Sequence, residues 1–361
     1  MSIMFYGTPF NGDLSSWDVS SVTSMYRMFR DTPFNQDISG WNVSNVTDMT
    51  EMFDGADALS GGAKCAIHTL FSEQNENWPY DWSDLCFSYE FQTNAELQTA
   101  VDLWVSDRAT ALSTYNHISY WNVSLITDMS ELFKDKTTFN DDISAWVVSN
   151  VTSMTEMFLS ASSFNQDIGG WDVSSVTNMA SVFNGATSFN RDLSSWDVSS
   201  VTNMGFIFSG ASSFNQNISE WDTRDATNMK KMFYSCHIFN QDLSEWNVSD
   251  VTDMSQMFQN AHSFNGDIST WEVDEVTNMD GMFLGATSFN QDLSDWDVSS
   301  VTTMNEIFYS ASSFNQDLSS WNVSNVTSMR SMFHYATSFN GDISGWNVSS
   351  VTDMGRMFSS A

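Results

Sequence analysis

A unit of 25 residues recurs along most of the chain, marked by Trp121, Trp146, Trp171, Trp196, Trp221, Trp246, Trp271, Trp296, Trp321 and Trp346 at equal intervals. A fixed period in the range of roughly 20 to 50 residues signals stacked units, each burying its apolar side against the next. One unit holds about nine apolar side chains, whose burial falls short of the entropy lost in ordering its backbone. Stacking must supply the difference, so the repeat constrains the fold more than any motif does. It also argues against catalysis, which relies on residues found once.

The length of 361 residues would ordinarily suggest two or three globular domains, but a stacked array grows by adding layers, not cores. Lys plus Arg number 12 against 45 Asp plus Glu, a formal net charge of −33. Phosphate recognition needs clustered Lys and Arg, so nucleic acid and anionic lipid are excluded as partners. Divalent cations and basic partners are favoured instead. No run of about 18 apolar residues is present to insert into a membrane. Residues 1–30 lack the basic start and apolar stretch of a secretory signal. Met1-Ser2-Ile3-Met4-Phe5 aligns with Met354-Gly355-Arg356-Met357-Phe358, inside the repeat, and Ala361 also falls in mid-unit. The expectation is a segment of a longer polypeptide, or a protomer whose ends are completed by neighbours.

Residues 164–188 serve as the type unit. Ile168 to Val173 is rich in strand formers, and Trp171 and Val173 sit two apart as on one strand face, which predicts one short strand per coil. Val176, Met179, Val182 and Phe183 follow at spacings of three, three and one, which predicts one short helical turn with an apolar stripe. Thr177 or the preceding Ser can cap that turn, and Gly185, Gly210 and Gly285 can end it in a left-handed conformation.

Three polar rows follow from the period. Asn140, Asn165, Asn190, Asn215, Asn240, Asn265, Asn290, Asn315 and Asn340 recur at one corner, where amides can satisfy one another and the turning backbone. Asp142, Asp167, Asp192, Asp242, Asp267, Asp292, Asp317 and Asp342 form a carboxylate row beside them, interrupted by Asn217. Such a row can share Ca²⁺, but no dense Asp-x-Asp-x-Gly loop accompanies it, and solvated turn carboxylates are the favoured reading. The third row, Thr152, Thr177, Thr202, Thr227, Thr252, Thr277, Thr302, Thr327 and Thr352, raises an ice-binding face as an alternative.

The string Phe-Asn-Gln-Asp-Leu-Ser-Ser-Trp-Asp-Val-Ser-Ser-Val-Thr-x-Met-x-x-Met-Phe resembles the repeat of the BspA-type leucine-rich-repeat surface proteins. The resemblance covers roughly residues 1–58 and 117–361, in twelve copies. It implies an α/β repeat, a leucine-rich-repeat-like right-handed solenoid with one short strand and one short helical turn per 25-residue coil. It further implies a secreted or cell-surface location, adhesive or structural roles, and no shared active site. Trp, Met and Phe stand where Leu would, which puts the usual horseshoe curvature in question.

The expected organisation is a tract of repeats at 1–58, a non-repeat insert at 59–117 and a tract of about ten repeats at 118–361. Within the insert, Cys65 and Cys86 flank Trp78-Pro79-Tyr80-Asp81-Trp82, an irregular loop, and a disulfide is their simplest use in an extracellular chain. His68 alone is insufficient for a zinc site. Thr93-Asn-Ala-Glu96 has capping-box form ahead of an apolar face of Leu97, Ala100, Val101 and Trp104, and a second helix is expected from Ser106-Asp107 to about Tyr115. The insert reads as a cap or joint between tracts, with a binding site as the alternative. Cys236, at a position where small residues are usual, reads as a buried free thiol.

Asn42, Asn45, Asn122, Asn150, Asn217, Asn247, Asn322, Asn325 and Asn347 each open an Asn-x-Ser/Thr triplet, giving N-linked glycan candidates in a eukaryotic host. Exchange of Asp for Asn in the consensus also generates such triplets without any sugar. The five histidines form no triad and no carboxylate pair stands out from the row, so no enzyme and no cofactor are expected. The functional expectation is an extracellular structural or adhesive repeat protein that meets copies of itself end to end, or flanking repeats of a longer chain. A module using one face to bind polysaccharide, calcium or ice, or another surface protein, is the alternative.

Overall fold

Nine side chains of the type unit, Phe164, Ile168, Trp171, Val173, Val176, Met179, Val182, Phe183 and Ala186, are buried, and the same positions are buried in the layers on either side. This is seen in a computed structural model describing residues 1–361, which fall into two compact units, Met1–Leu125 and Ile126–Ala361. In the second unit like residues stack on like. The rings of Phe158, Phe183 and Phe208 lie nearly parallel with centroids 5.6 and 5.7 Å apart, and Phe158 and Phe164 pair within one layer at 4.0 Å. From Trp171 to Trp321 each indole N–H is satisfied by the preceding layer: Trp196 donates to the Ile168 carbonyl at 3.0 Å and Trp246 to the Ile218 carbonyl at 2.9 Å.

Two sets of backbone bonds hold neighbouring layers. The N–H of Thr177 donates to the Thr152 carbonyl at 2.9 Å, and that of Thr202 to the Thr177 carbonyl at 3.0 Å. In the opposite direction, the N–H groups of Met179, Ser181, Phe183 and Gly185 donate to the carbonyls of Asn203, Gly205, Ile207 and Ser209 at 2.7–3.1 Å.

This arrangement corrects the expected fold class. No α-helix and no strand occurs in any repeat; the three α-helices all lie within 59–117, and strand-type pairing between layers is limited to isolated parallel bridges such as Ser153 with Asn178 and Asn178 with Asn203. The α/β leucine-rich-repeat-like right-handed solenoid of short strands and helical turns is therefore not what forms. The run from Met179 to Ala186 carries apolar side chains at helical spacing, but its backbone is a chain of overlapping turns. Val182, Asn184 and Ala186 donate to Met179, Ser181 and Phe183, while the residues between them donate to the next layer. Alternation of this kind requires a left-handed residue every fourth position, and Ser181 and Gly185 have φ of 60° and 72°. A helix cannot pass through such residues. Trp171 and Val173 are both buried, yet turns closed by Trp171 N–H to Ile168 and by Val176 N–H to Val173 bracket them, so no strand extends there.

The first unit begins with layers of the same kind: Phe5, Phe29 and Phe53 stack at 5.6 and 5.5 Å. Ser60 then caps α1, Gly61–Gln74, by accepting from the Ala63 N–H. The sequence reading did not anticipate α1, although Ala63, Ala66, Ile67, Leu70 and Phe71 fall at helical spacing and all but Leu70 are buried. Thr93 caps α2, Asn94–Ser106, and Leu97, Ala100, Val101 and Trp104 are its buried residues; Asp107 caps α3, Arg108–Tyr115. α1 meets α3 closely at Gly62, where a Cβ would lie 2.1 Å from the Leu112 carbonyl oxygen. The repeats resume through one parallel bridge, Glu90 with Asn122, flanked by Phe91 N–H to the Asn122 carbonyl at 3.0 Å.

Candidate functional site

The corner Asn row works through its side-chain carbonyls. Each accepts the backbone N–H of the next Asn: Asn190 N–H to Asn165 at 3.0 Å, Asn215 to Asn190 at 3.0 Å and Asn240 to Asn215 at 2.9 Å. Gln241 Nε2 adds a second donor to Asn215 at 2.8 Å. The row satisfies the backbone where the layers have no carbonyl to offer, and its side chains are engaged in doing so.

The carboxylate row is local in its bonding. Asp192, Asp267 and Asp342 accept from Ser194, Ser269 and Ser344 two residues on, and those backbone N–H and hydroxyl bonds hold all three carboxyls below the usual range. Asn217 fills the same role with its amide oxygen, taking the Ser219 N–H at 2.9 Å, so the interruption costs no hydrogen bond. No group of three or more His, Cys, Asp or Glu is arranged to hold a metal ion. The Thr row is exposed, with Oγ1 of Thr177, Thr252 and Thr352 donating to the Thr carbonyl of the preceding layer at 3.3, 3.4 and 3.0 Å.

The Asn-x-Ser/Thr residues divide by their bonds. Asn42, Asn217, Asn247, Asn322 and Asn347 are exposed and use only the side-chain oxygen, accepting the N–H of the Ser two positions on. Asn45 and Asn325 donate through Nδ2 to the Ser20 and Ser299 carbonyls at 2.8 and 2.7 Å, and Asn122 donates to Glu90 at 3.1 Å. Asn150 is exposed and has a partner of its own.

Among the histidines, His237 and His262 meet edge to face at 4.9 Å from adjacent layers; burial, then the charge of His262, lowers the His237 pKa. Cys236 is a buried free thiol that donates to the Phe208 carbonyl, and burial pushes its pKa up. A shallow groove of about 630 Å³ borders Trp271 and is lined by Glu272, Asp274, Asp295 and Asp297.

The insert presents the most specific geometry. Cys65 on α1 and Cys86 form a disulfide with a Cα separation of 5.0 Å. Between them the chain returns to the last layer of the first tract. Tyr80 Oη accepts the Phe53 N–H at 2.8 Å and donates to Asp54 at 3.0 Å, and Trp78, Tyr80 and Trp82 pack against the Phe53 ring. Burial raises the Tyr80 pKa well above the usual phenol value. Gln74 accepts the Val43 N–H, and Asn75 Nδ2 donates to the Val43 and Val46 carbonyls. His68 accepts from the Trp78 indole at 3.0 Å and serves the same loop. Farther along, Arg108 of α3 lies over the Trp104 ring and donates to half-buried Asp37 at 2.8 Å. Sequence reasoning missed Gln74, Asn75, Tyr80 and the Asp37–Arg108 pair. Only the aromatic density of Trp78-Pro79-Tyr80-Asp81-Trp82, just past the last Phe of the file, hinted at a cover there.

A family model described as Mycoplasma protein of unknown function, DUF285, matches residues 1–67, 99–215, 191–279 and 265–361. The chain belongs to the DUF285 family. Successive DUF285 matches overlap along the second unit, and with the recurring aromatic files this makes the chain a repeat protein. Residues 68–98, outside every DUF285 match, contain the loop that covers Phe53. No match was found among curated proteins.

Proposed function

We propose that this chain is part of an extracellular structural or adhesive surface protein whose layers are continued by further layers, from copies of itself set end to end or from flanking repeats of a longer chain. The bonding repeated between successive layers carries the reading. The N–H groups of Met329, Ser331, Phe333 and Tyr335 donate to Asp353, Gly355, Met357 and Ser359 at 2.8–3.1 Å, just as those of Met179, Ser181, Phe183 and Gly185 donate to the layer after them. Layers that meet like layers through the same donors and acceptors can accept a further one.

The resemblance to the BspA-type surface proteins supports a cell-surface or secreted location, as does a disulfide, which persists in oxidising surroundings. In a host that glycosylates Asn-x-Ser/Thr, sugar belongs on Asn42, Asn217, Asn247, Asn322 and Asn347, where Nδ2 makes no other bond. Sedimentation of the intact chain against concentration, beside Phe358→Asp, tests the assembly. Concentration-dependent growth abolished by the substitution supports copies end to end. Growth that persists in the variant refutes the Phe358 layer as the contact. A strictly monomeric chain leaves flanking repeats, and a version extended by two repeats must then melt higher for the proposal to survive.

A further inference from the structure

The groups that bond the backbone of residues 43–53 from beyond the first tract lie between Cys65 and Cys86. Gln74 takes the Val43 N–H at 2.9 Å, Asn75 reaches the Val43 and Val46 carbonyls at 2.7 and 2.6 Å, and Tyr80 takes the Phe53 N–H at 2.8 Å. Trp78, Tyr80 and Trp82 cover the Phe53 ring with centroids 5.6–6.3 Å away. The N–H groups of Glu51 and Gly55, on either side of Phe53, have no acceptor, so this loop is what covers the edge. The disulfide joins the two ends of the loop. Cys65 is fully buried on α1, which stays anchored by its close contact with α3 at Gly62, and Cys86 is half-buried at the loop's far end.

We infer that the 65–86 loop is a redox-sensitive latch: with its disulfide closed it holds residues 43–55 shut, and a dithiol reductant releases that edge alone. A thiolate of the reductant attacks the accessible Cys86 sulfur, forming a mixed disulfide and expelling the Cys65 thiolate, which takes up a proton. The reductant's second thiolate then displaces Cys86 and leaves as a cyclic disulfide, so two electrons pass to the chain and two thiols result. Without the link, states in which Tyr80 and Asn75 leave the edge gain the loop freedom that the bond denied them. α1 keeps its place against α3, and Gln74 at its end with it, so the release is confined to residues 75–86 and the part of the layer that they cover.

Hydrogen–deuterium exchange of the intact chain before and after dithiothreitol reads this directly. Peptides spanning 43–55 and 75–86 are expected to exchange about tenfold faster or more once both thiols are free, while peptides from 150–330 keep their rates. Unchanged exchange at 43–55, with reduction verified by mass, overturns the latch. So does uniform acceleration across both units, which would make the bond a general stabiliser. C65A/C86A should reproduce the reduced pattern without reagent; if it fails to fold, reduction of the folded native chain still decides. Tyr80→Phe, with the disulfide intact, should speed exchange at Phe53 and leave Val43 protected.

Discussion

The backbone N–H of Asn240 donates to the side-chain oxygen of Asn215, one layer earlier, at 2.9 Å. A neutral amide is suited to this position because it accepts from the next layer without stacking like charges. Asn215→Ala leaves the Asn240 N–H and Gln241 Nε2 without that acceptor, at a cost of about 1–3 kcal/mol. Asn215→Asp keeps an acceptor and should cost less. Chemical denaturation followed by tryptophan fluorescence ranks the two; an Ala variant as stable as the parent would refute the role.

Trp246 is buried and its indole N–H donates to the Ile218 carbonyl at 2.9 Å. Trp246→Phe removes the donor, strands the carbonyl and leaves a void, and a loss of about 2–4 kcal/mol is expected. Exchange should rise first in peptides containing residues 218 and 246. Protection equal to that of the parent would show the bond to be dispensable.

Gly210 and Ser235 occupy the same left-handed position in adjacent layers, with φ of 71° and 55°. At Gly210 an added Cβ meets nothing closer than Gly185 at 3.6 Å, so Gly210→Ala carries backbone strain alone, about 1 kcal/mol. Ser235→Gly relieves strain of the same kind and should leave stability level or slightly raised. Melting temperatures moving in the reverse order would contradict this account of the backbone.

Asp37 is half-buried, its carboxylate bonded by Arg108 of α3. Burial raises its pKa, but Arg108, His117 and the bonds from Ser39 outweigh that effect and leave it below the ordinary value. For a carboxyl with a depressed folded-state pKa, the stabilisation is present above the unfolded value, about 4, and is lost as pH falls through the folded value. Exchange protection of α3 should therefore hold from pH 7 to about 4 and decline below it. Asp37→Asn should remove that dependence and cost on the order of 2 kcal/mol, between the exposed and buried limits for an ion pair. An α3 whose protection does not decline below about pH 4 would rule the pair out.

The sequence reading of the two helices α2 and α3 was possible because Thr93 and Asp107 announce their caps and Leu97, Ala100, Val101 and Trp104 mark a face, all of it local information. α1 has a comparable face in Ala63, Ala66, Ile67, Leu70 and Phe71, which the reading of Cys65 to Cys86 as an irregular loop passed over. The spacing of Val176, Met179, Val182 and Phe183 was misleading for a physical reason. Overlapping turns bury residues at nearly the same intervals as a helix, and which one forms depends on where alternate N–H groups find acceptors. Those acceptors belong to the next layer, 24 residues away in the case of Phe183 and Ile207. Likewise, that Asn45 spends its Nδ2 on Ser20 while Asn42 keeps its own free depends on which residue faces it from the layer before.

The amino-acid order alone settles the period, the identity of the nine buried side chains and the need for stacking, because apolar burial per unit and its entropic cost depend on composition and spacing. Backbone conformation within a layer, and the loop that closes the first tract, are decided only by tertiary structure. Both rest on hydrogen bonds between residues far apart in the chain, such as Phe53 with Tyr80, and no local pattern encodes the direction in which a peptide group will turn to find its partner.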